Sequence, residues 1–280
     1  MVPSSSLTDS LRRHDRDRYL SALFVPAERR AAVVALYSFN YEIAKTREVV
    51  SEPLLGRIRL QWWREAIEEA YERSAARAHE VMTPLAAAIR EHRLSRGHFD
   101  AMIEARELDL ADEAPPSLAA LEDYCEATSG RLQRLVLETL DVRDDDSAEA
   151  AREVGTAYAL VGLIRATPFH ARARRHHIPA EIAREVGLDP ATLFELRPSP
   201  PLAAAVERLA RRAHQHLARA RSLRRRLAKA ALPALLPARI ASGYLRDIEA
   251  VGGNVFDPRL PARAGRSVMR LAWGAVTGRY

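Results

Sequence analysis

Apolar residues recur at three- and four-residue intervals along nearly the whole chain, the spacing of helices that bury one face. The clearest case is 201–230, where Val206, Leu209, Ala213, Leu217, Ala220, Leu223 and Leu227 form one stripe and the arginines take the opposite side. No stretch of five or more residues alternates convincingly between apolar and polar positions, so the pattern predicts an all-α protein. Stop and start signals fall at Val25-Pro26, Glu52-Pro53, Thr83-Pro84, Ala114 to Ser117, Asp141 to Ser147, Ile178-Pro179, Pro198 to Pro201, Pro233 and Gly252 to Asn254. Breaker counting divides the chain into about ten helices. Ser117 and Asp189-Pro190 have the chemistry of helix starts. No fixed-period repeat emerges, which excludes a solenoid and leaves one compact bundle.

The length of 280 residues suffices for a single large domain spanning 1–280, with residues 1–10 expected to be disordered. No run approaches the roughly 18 apolar residues that cross a bilayer, and the opening MVPSSSLTDS has neither the apolar core of a secretory signal nor the arginines of a transit peptide. The expected setting is cytoplasmic. Cys125, the one cysteine, cannot close an intramolecular disulfide and falls short of a zinc or iron–sulfur ligand set, so it reads as a small buried apolar side chain.

Charge adds something that periodicity lacks. The net charge is +6, yet 201–230 alone holds eight Arg and Lys229 against the single acid Glu207, so the rest of the chain is slightly acidic. A basic face this local fits an anionic partner, whether lipid headgroups on the inner face of a membrane, an acidic protein or nucleic acid. It equally fits a helix that docks its stripe on the core and leaves its charges in water. Nucleic acid ranks last, because no recognition motif accompanies the charge.

Four segments, in order, carry a resemblance: DRDRYLSALFVPAERRAAVVALYSFN at 15–40; Trp62-Trp63-Arg64-Glu65 with Thr83-Pro84-Leu85 and the acidic stretch Glu104 to Asp109; Leu121 to Cys125 with Ser129-Gly130; and GTAYALVGLIRATPFHARARRHHIP at 155–179. Together they resemble the squalene/phytoene synthase family. The resemblance implies the isoprenoid synthase fold, one bundle of helices around a central cavity.

Catalytic members of that family hold Mg²⁺ between two facing DxxxD clusters to neutralise a diphosphate leaving group. A spacing of four puts both carboxylates on one helix face. Here the first cluster's aspartates fall on Ala44 and Glu48, beside Lys45 and Arg47, and the second's on Ala166 and His170, with Gly162 at the family's asparagine. Asp109 with Asp112 or Glu113, and Asp144 to Asp146, are the other acids to consider; the first set lies on the family's middle acidic helix, the second in an expected loop, and neither is placed to complete a two-sided cage. The reading is therefore no metal and no cofactor, with Mg²⁺ only if an enzyme survives on relocated acids.

The second motif is instead basic, with Arg165, His170, Arg172, Arg174, Arg175, His176 and His177 and no acid among them. Such a patch either grips a phosphate, carboxylate or lipid headgroup directly or is a solvated helix end and turn. The three histidines do not form a zinc set. Tyr37, Phe39, Tyr41, Trp62 and Trp63 either line an apolar pocket for an isoprenoid chain or are plain core.

Phe39-Asn40, Val50-Ser51-Glu52 and Arg165-Ala166-Thr167-Pro168-Phe169-His170 resemble the branch of the family with degraded aspartate motifs. Its eukaryotic members are mitochondrial assembly factors for respiratory complex I. The resemblance implies a non-catalytic protein that assists complex I assembly at a membrane surface, with complex I subunits or assembly intermediates as partners and a prenyl diphosphate or lipid as a conceivable ligand. The alternative is a Mg²⁺-dependent head-to-head prenyltransferase making a squalene- or phytoene-type product.

Overall fold

The computed structural model describes residues 5–72, 77–260 and 267–280, and among them regular structure is helical throughout. The chain opens with α1 (Ser5–His14) and α2 (Arg16–Ala22), joined at Asp15, whose carboxylate accepts from the Arg18 amide. Of the expected disordered stretch 1–10, residues 1–4 lie outside the described residues, and the remainder is helix, because Leu7 and Leu11 drive α1 into the core.

α3 (Ala27–Ala44) starts behind Pro26 and is buried over most of its circumference, as its nearly continuous apolar run requires. α4 (Thr46–Val49) and α5 (Pro53–Glu72) follow, then α6 (Met82–His92) and α7 (Arg96–Ala105). Phe39 meets Trp63 and Phe99 edge to face at centroid separations of 5.5 and 5.4 Å, which fixes α3, α5 and α7 around one aromatic knot.

α8 (Leu118–Cys125), a single π turn (Glu126–Gly130) and α9 (Arg131–Thr139) run on as one rod. Ser117 caps α8 through its hydroxyl. Against this rod lies α10 (Asp145–Arg172), the longest helix, whose Asp144 cap accepts from the Ser147 amide at 2.8 Å. Asp144 to Asp146 are thus a cap and a first turn rather than a loop, where their charges favour the helix N-terminus. Pro168 falls inside α10 and removes one amide from its last turns.

α11 (Ala180–Val186), α12 (Pro190–Leu193) and α13 (Pro200–Ser222) come next, then α14 (Leu232–Leu235), α15 (Pro237–Glu249) and a last helix, Ser267–Thr277. The apolar stripe of α13 packs on α10. α13 stops at Ser222, short of the predicted 230, so Leu223 and Leu227 leave the stripe and sit partly buried beside it. Thr83-Pro84 marks the start of α6, as its signal predicts, since a proline within the first turn costs no hydrogen bond.

Part of the basic face expected on 201–230 is paired within the molecule. Arg208 pairs with Glu185, Arg211 with Glu207, Arg212 with Glu122 at 3.0 Å, and Arg226 with Asp146 at 3.3 Å. His216 places Nδ1 2.6 Å from Glu153 and Nε2 2.8 Å from Glu122, locking α13 to α10 and α8.

Candidate functional site

The four positions that stand in for the lost aspartates come from three helices. Ala44 closes α3 and Glu48 lies in α4; Ala166 and His170 lie on the last two turns of α10. Ala44 and Glu48 face His170 across a cavity of about 150 Å³, also lined by Arg47, Arg106, Asp109, Tyr124, Leu163, Arg175 and His177. A second cavity of about 340 Å³ shares Asp109, Tyr124, Arg175 and His177 and runs toward Asp112, Glu113 and the Ala114 to Pro116 turn, with His176 on its wall.

One hydrogen-bonded cluster organises the shared wall. Tyr124 Oη donates to Asp109 at 2.7 Å, and Arg106 donates to the other carboxylate oxygen of Asp109 at 3.1 Å and to Tyr124 Oη. Asp109 sits on the short turn Leu108–Leu110, held there because Leu110 packs into the notch at Gly56. Asp109 therefore faces the motif positions, contrary to the expectation from its place in the sequence; the turn folds it back over the end of α3. Asp112 instead pairs with Arg47 at 3.1 Å on the surface. Arg106 and the Asp109–Tyr124 pair were missed as a unit in the sequence, where the only signal was the acidic stretch itself.

The histidines are not the cations that the sequence suggested. His170 and His177 touch ring to ring at 4.6 Å, and the Nδ1 atoms of both are buried without a hydrogen-bond partner among the described residues. Burial, reinforced by His177 and Arg175, pushes His170 down to about 4, and burial likewise lowers His176 and His177. At neutral pH they are uncharged, and the positive potential comes from Arg47, Arg106 and Arg175.

Arg165 does not join them. It turns to the other side of α10, with its guanidinium 3.5 Å from the centroid of the Tyr244 ring and 3.7 Å from Asp17. Arg172 is exposed, and Arg174 takes a left-handed conformation over Phe194 at the end of the helix. The aromatic candidates line neither of these two cavities. Tyr37 and Trp63 are buried core, Tyr41 stacks between His14 and Lys45, and Trp62 lies under Arg77.

Donor chemistry decides how well this site suits a pair of Mg²⁺ ions, which demand several oxygen ligands in near-octahedral array. Ala44 and Ala166 have no ligand atom and His170 offers nitrogen; of the two carboxylates lining the cavity, Asp109 is already engaged by Arg106 and Tyr124. These residues do not fit a two-sided magnesium cage. They fit a small anion or polar group gripped by arginine.

The model of squalene/phytoene synthases matches residues 11–266. The chain belongs to the squalene/phytoene synthase family. Its fold is the all-α isoprenoid synthase fold: a solved dehydrosqualene synthase superposes with a TM-score of 0.83 over 98% of this chain and 96% of that one, at 17% identity. Among curated relatives, the mouse (Mus musculus) protein named NADH dehydrogenase (ubiquinone) complex I, assembly factor 6 is 33% identical over 92% of this chain and 78% of its own length. Presqualene diphosphate synthase of Sinorhizobium fredii is 26% identical over 71% of each chain.

His170 makes stability depend on pH. Its proton goes on near pH 6.5 in the unfolded chain but only near 4 in the fold. The contribution from keeping it neutral is complete above 6.5 and is lost as pH falls toward 4. Between pH 7 and pH 5 the wild type should lose on the order of 1 to 2 kcal/mol more than His170→Gln, read by urea unfolding at both values. Equal losses would show that the ring is solvated.

Proposed function

We propose that this protein is a non-catalytic family member that assists assembly of respiratory complex I, acting peripherally at the inner face of the membrane that holds the complex. The observation that carries this is the likeness to assembly factor 6 over 92% of the chain. The site supports it: where a prenyl synthase needs two facing carboxylate pairs, this cavity offers Ala44, Glu48 and His170 among arginines, with Asp109 already engaged by Arg106 and Tyr124. No described helix is long and apolar enough to cross a membrane, in keeping with peripheral action.

A protein partner has an obvious place to dock near this site. Val49, Leu54, Leu55, Ile58 and Leu108 are exposed together where α4, α5 and the Leu108–Leu110 turn meet, and apolar side chains in this density on a surface mark association. We assign this face to a complex I subunit or assembly intermediate.

Deleting the protein from its source organism should abolish most assembled complex I and its NADH:quinone oxidoreductase activity. Wild type should restore both. Leu54→Asp with Ile58→Asp should restore less than about a tenth, since two charges in an apolar contact cost several kcal/mol, while its circular dichroism stays unchanged. In parallel, purified protein with farnesyl diphosphate and Mg²⁺ should release no diphosphate beside an active relative as control. Chelator-sensitive release, or normal complex I in the deletion strain, would overturn the reading in favour of a prenyltransferase.

A further inference from the structure

The last described helix, Ser267–Thr277, is amphipathic in the reverse sense. Its one charged residue, Arg270, turns inward to Asp247 at 3.0 Å, passing over Gly243 where a methyl group would obstruct it. Leu271 and Gly274 are buried on the same side. Met269, Trp273 and Val276, at i, i+4 and i+7, occupy the opposite side and are 69%, 61% and 85% exposed. The outward face of an element about 16 Å long is therefore wholly apolar.

Arginines gather at the C-terminal end of this face. The stem of Arg239 lies against Gly274, and the Arg279 amide donates to the Gly274 carbonyl at 3.0 Å. Arg221 donates to the Tyr280 carbonyl at 3.1 Å, and Tyr280 Oη donates to the Ala220 carbonyl at 2.8 Å, which ties the segment to the end of α13. Arg246, two turns further along α15, and Arg224, just after α13, add positive charge within electrostatic reach of Arg239 and Tyr280 respectively. Burial, with Arg246 and Arg279 close by, lowers the pKa of Arg239; burial with Arg239 and Arg246 does the same for Arg221. None of these five has a carboxylate side chain as partner among the described residues, in contrast to Arg208, Arg211, Arg212 and Arg226 on and after α13. Even a terminal carboxylate at Tyr280 would leave five cations facing one anion.

We propose that this corner docks on a bilayer, with the Met269, Trp273 and Val276 face entering the headgroup layer and Arg224, Arg246 and Arg279 engaging anionic phospholipids. An apolar face beside unneutralised cations matches the two parts of an interfacial surface, and tryptophan belongs at that depth. A second copy of the chain is the poorer occupant, because twofold pairing would bring two arginine clusters together without an acid between them. This surface is separate from the apolar face at α5; it rests on the peripheral membrane action proposed above but not on the complex I partner.

The test is flotation of the purified full-length protein with vesicles of phosphatidylcholine alone or with about one third phosphatidylglycerol. Partitioning onto the anionic vesicles should be at least about tenfold stronger and should fall as salt is raised. Met269→Ser with Trp273→Ser and Val276→Ser should cut it about tenfold. Arg246→Glu with Arg279→Glu, both at exposed positions, should remove the preference for anionic lipid while leaving the thermal midpoint unchanged. Equal partitioning onto neutral vesicles would overturn the proposal. So would charge-reversed protein that floats like wild type, or wild-type dimers that the serine variant converts to monomers while neither protein floats.

Discussion

Replacing His216 with alanine should lower the unfolding free energy by about 3 to 5 kcal/mol, among the largest effects of any single substitution in this chain. Both of its ring nitrogens face carboxylates, Glu153 at 2.6 Å and Glu122 at 2.8 Å, and Glu153 is fully buried. Alanine would leave two acids converging on an emptied site. Arg152 would still reach Glu153 and Arg212 would still reach Glu122, but both come from the rim and neither can enter the space between. The cost arises from stranding charge, not from losing an attractive pair, so Glu153→Leu with His216→Leu should recover more than half of it. Urea unfolding of the wild type, the single and the double variant separates these terms. A loss under about 1 kcal/mol for His216→Ala would mean that water reaches Glu153 and relieves it.

Gly155→Ala should destabilise by about 3 kcal/mol, against the usual sign for this change within a helix. A Cβ at this point of α10 would stand 2.7 Å from both the Cα and the amide nitrogen of Gly130, and it would also strike the Ser129 carbonyl. All three are backbone atoms of the π turn between α8 and α9, so no rotamer relieves the contact. The helix would have to move away from the rod it packs on. Because α10 also delivers His170 to the cavity and Glu153 to His216, the same displacement should weaken complex I assembly in cells beyond the loss of folded protein. Thermal unfolding of Gly155→Ala gives the first number; a stability equal to wild type would show that the two helices pack less closely.

Both predictions concern parts of the molecule that hold α10 in place, and that placement gives the candidate site its character. The end of α10 and the turn after it bring His170 and His177 against the Asp109–Tyr124–Arg106 cluster, and the end of α3 with α4 brings Ala44 and Glu48 opposite. The fold thus retains the meeting point of the two motifs while its side chains differ from those a magnesium-dependent reaction needs.

Much of this was determined by the sequence alone. Helical periodicity and breakers are local, so the all-α class, the starts at Ser117 and Asp189, and the breaks at Glu52-Pro53 and Pro198 to Pro201 are readable without a fold. The substituted motif positions could be located too, because the resemblance to squalene/phytoene synthases aligns the chain with that family's two motifs. Burial of Cys125 and of the aromatic residues Tyr37, Phe39 and Trp63 was also open to inference from residue type.

Only the tertiary structure decided where charges end up. The arginines of 201–230 read as a free basic face, yet Glu185 and Glu122, which meet Arg208 and Arg212, lie 23 and 90 residues away in sequence. The histidines at 170, 176 and 177 read as cations, yet burial holds them neutral. Asp109 read as an acid away from the motif positions, yet its turn folds over the site. An unremarkable segment near residue 270 became an exposed apolar helix edged with arginine. Helix formation is governed by neighbours three and four residues apart, so a local pattern reports it. Ion pairing and desolvation are governed by which distant segments touch, and a single sequence carries no direct record of that.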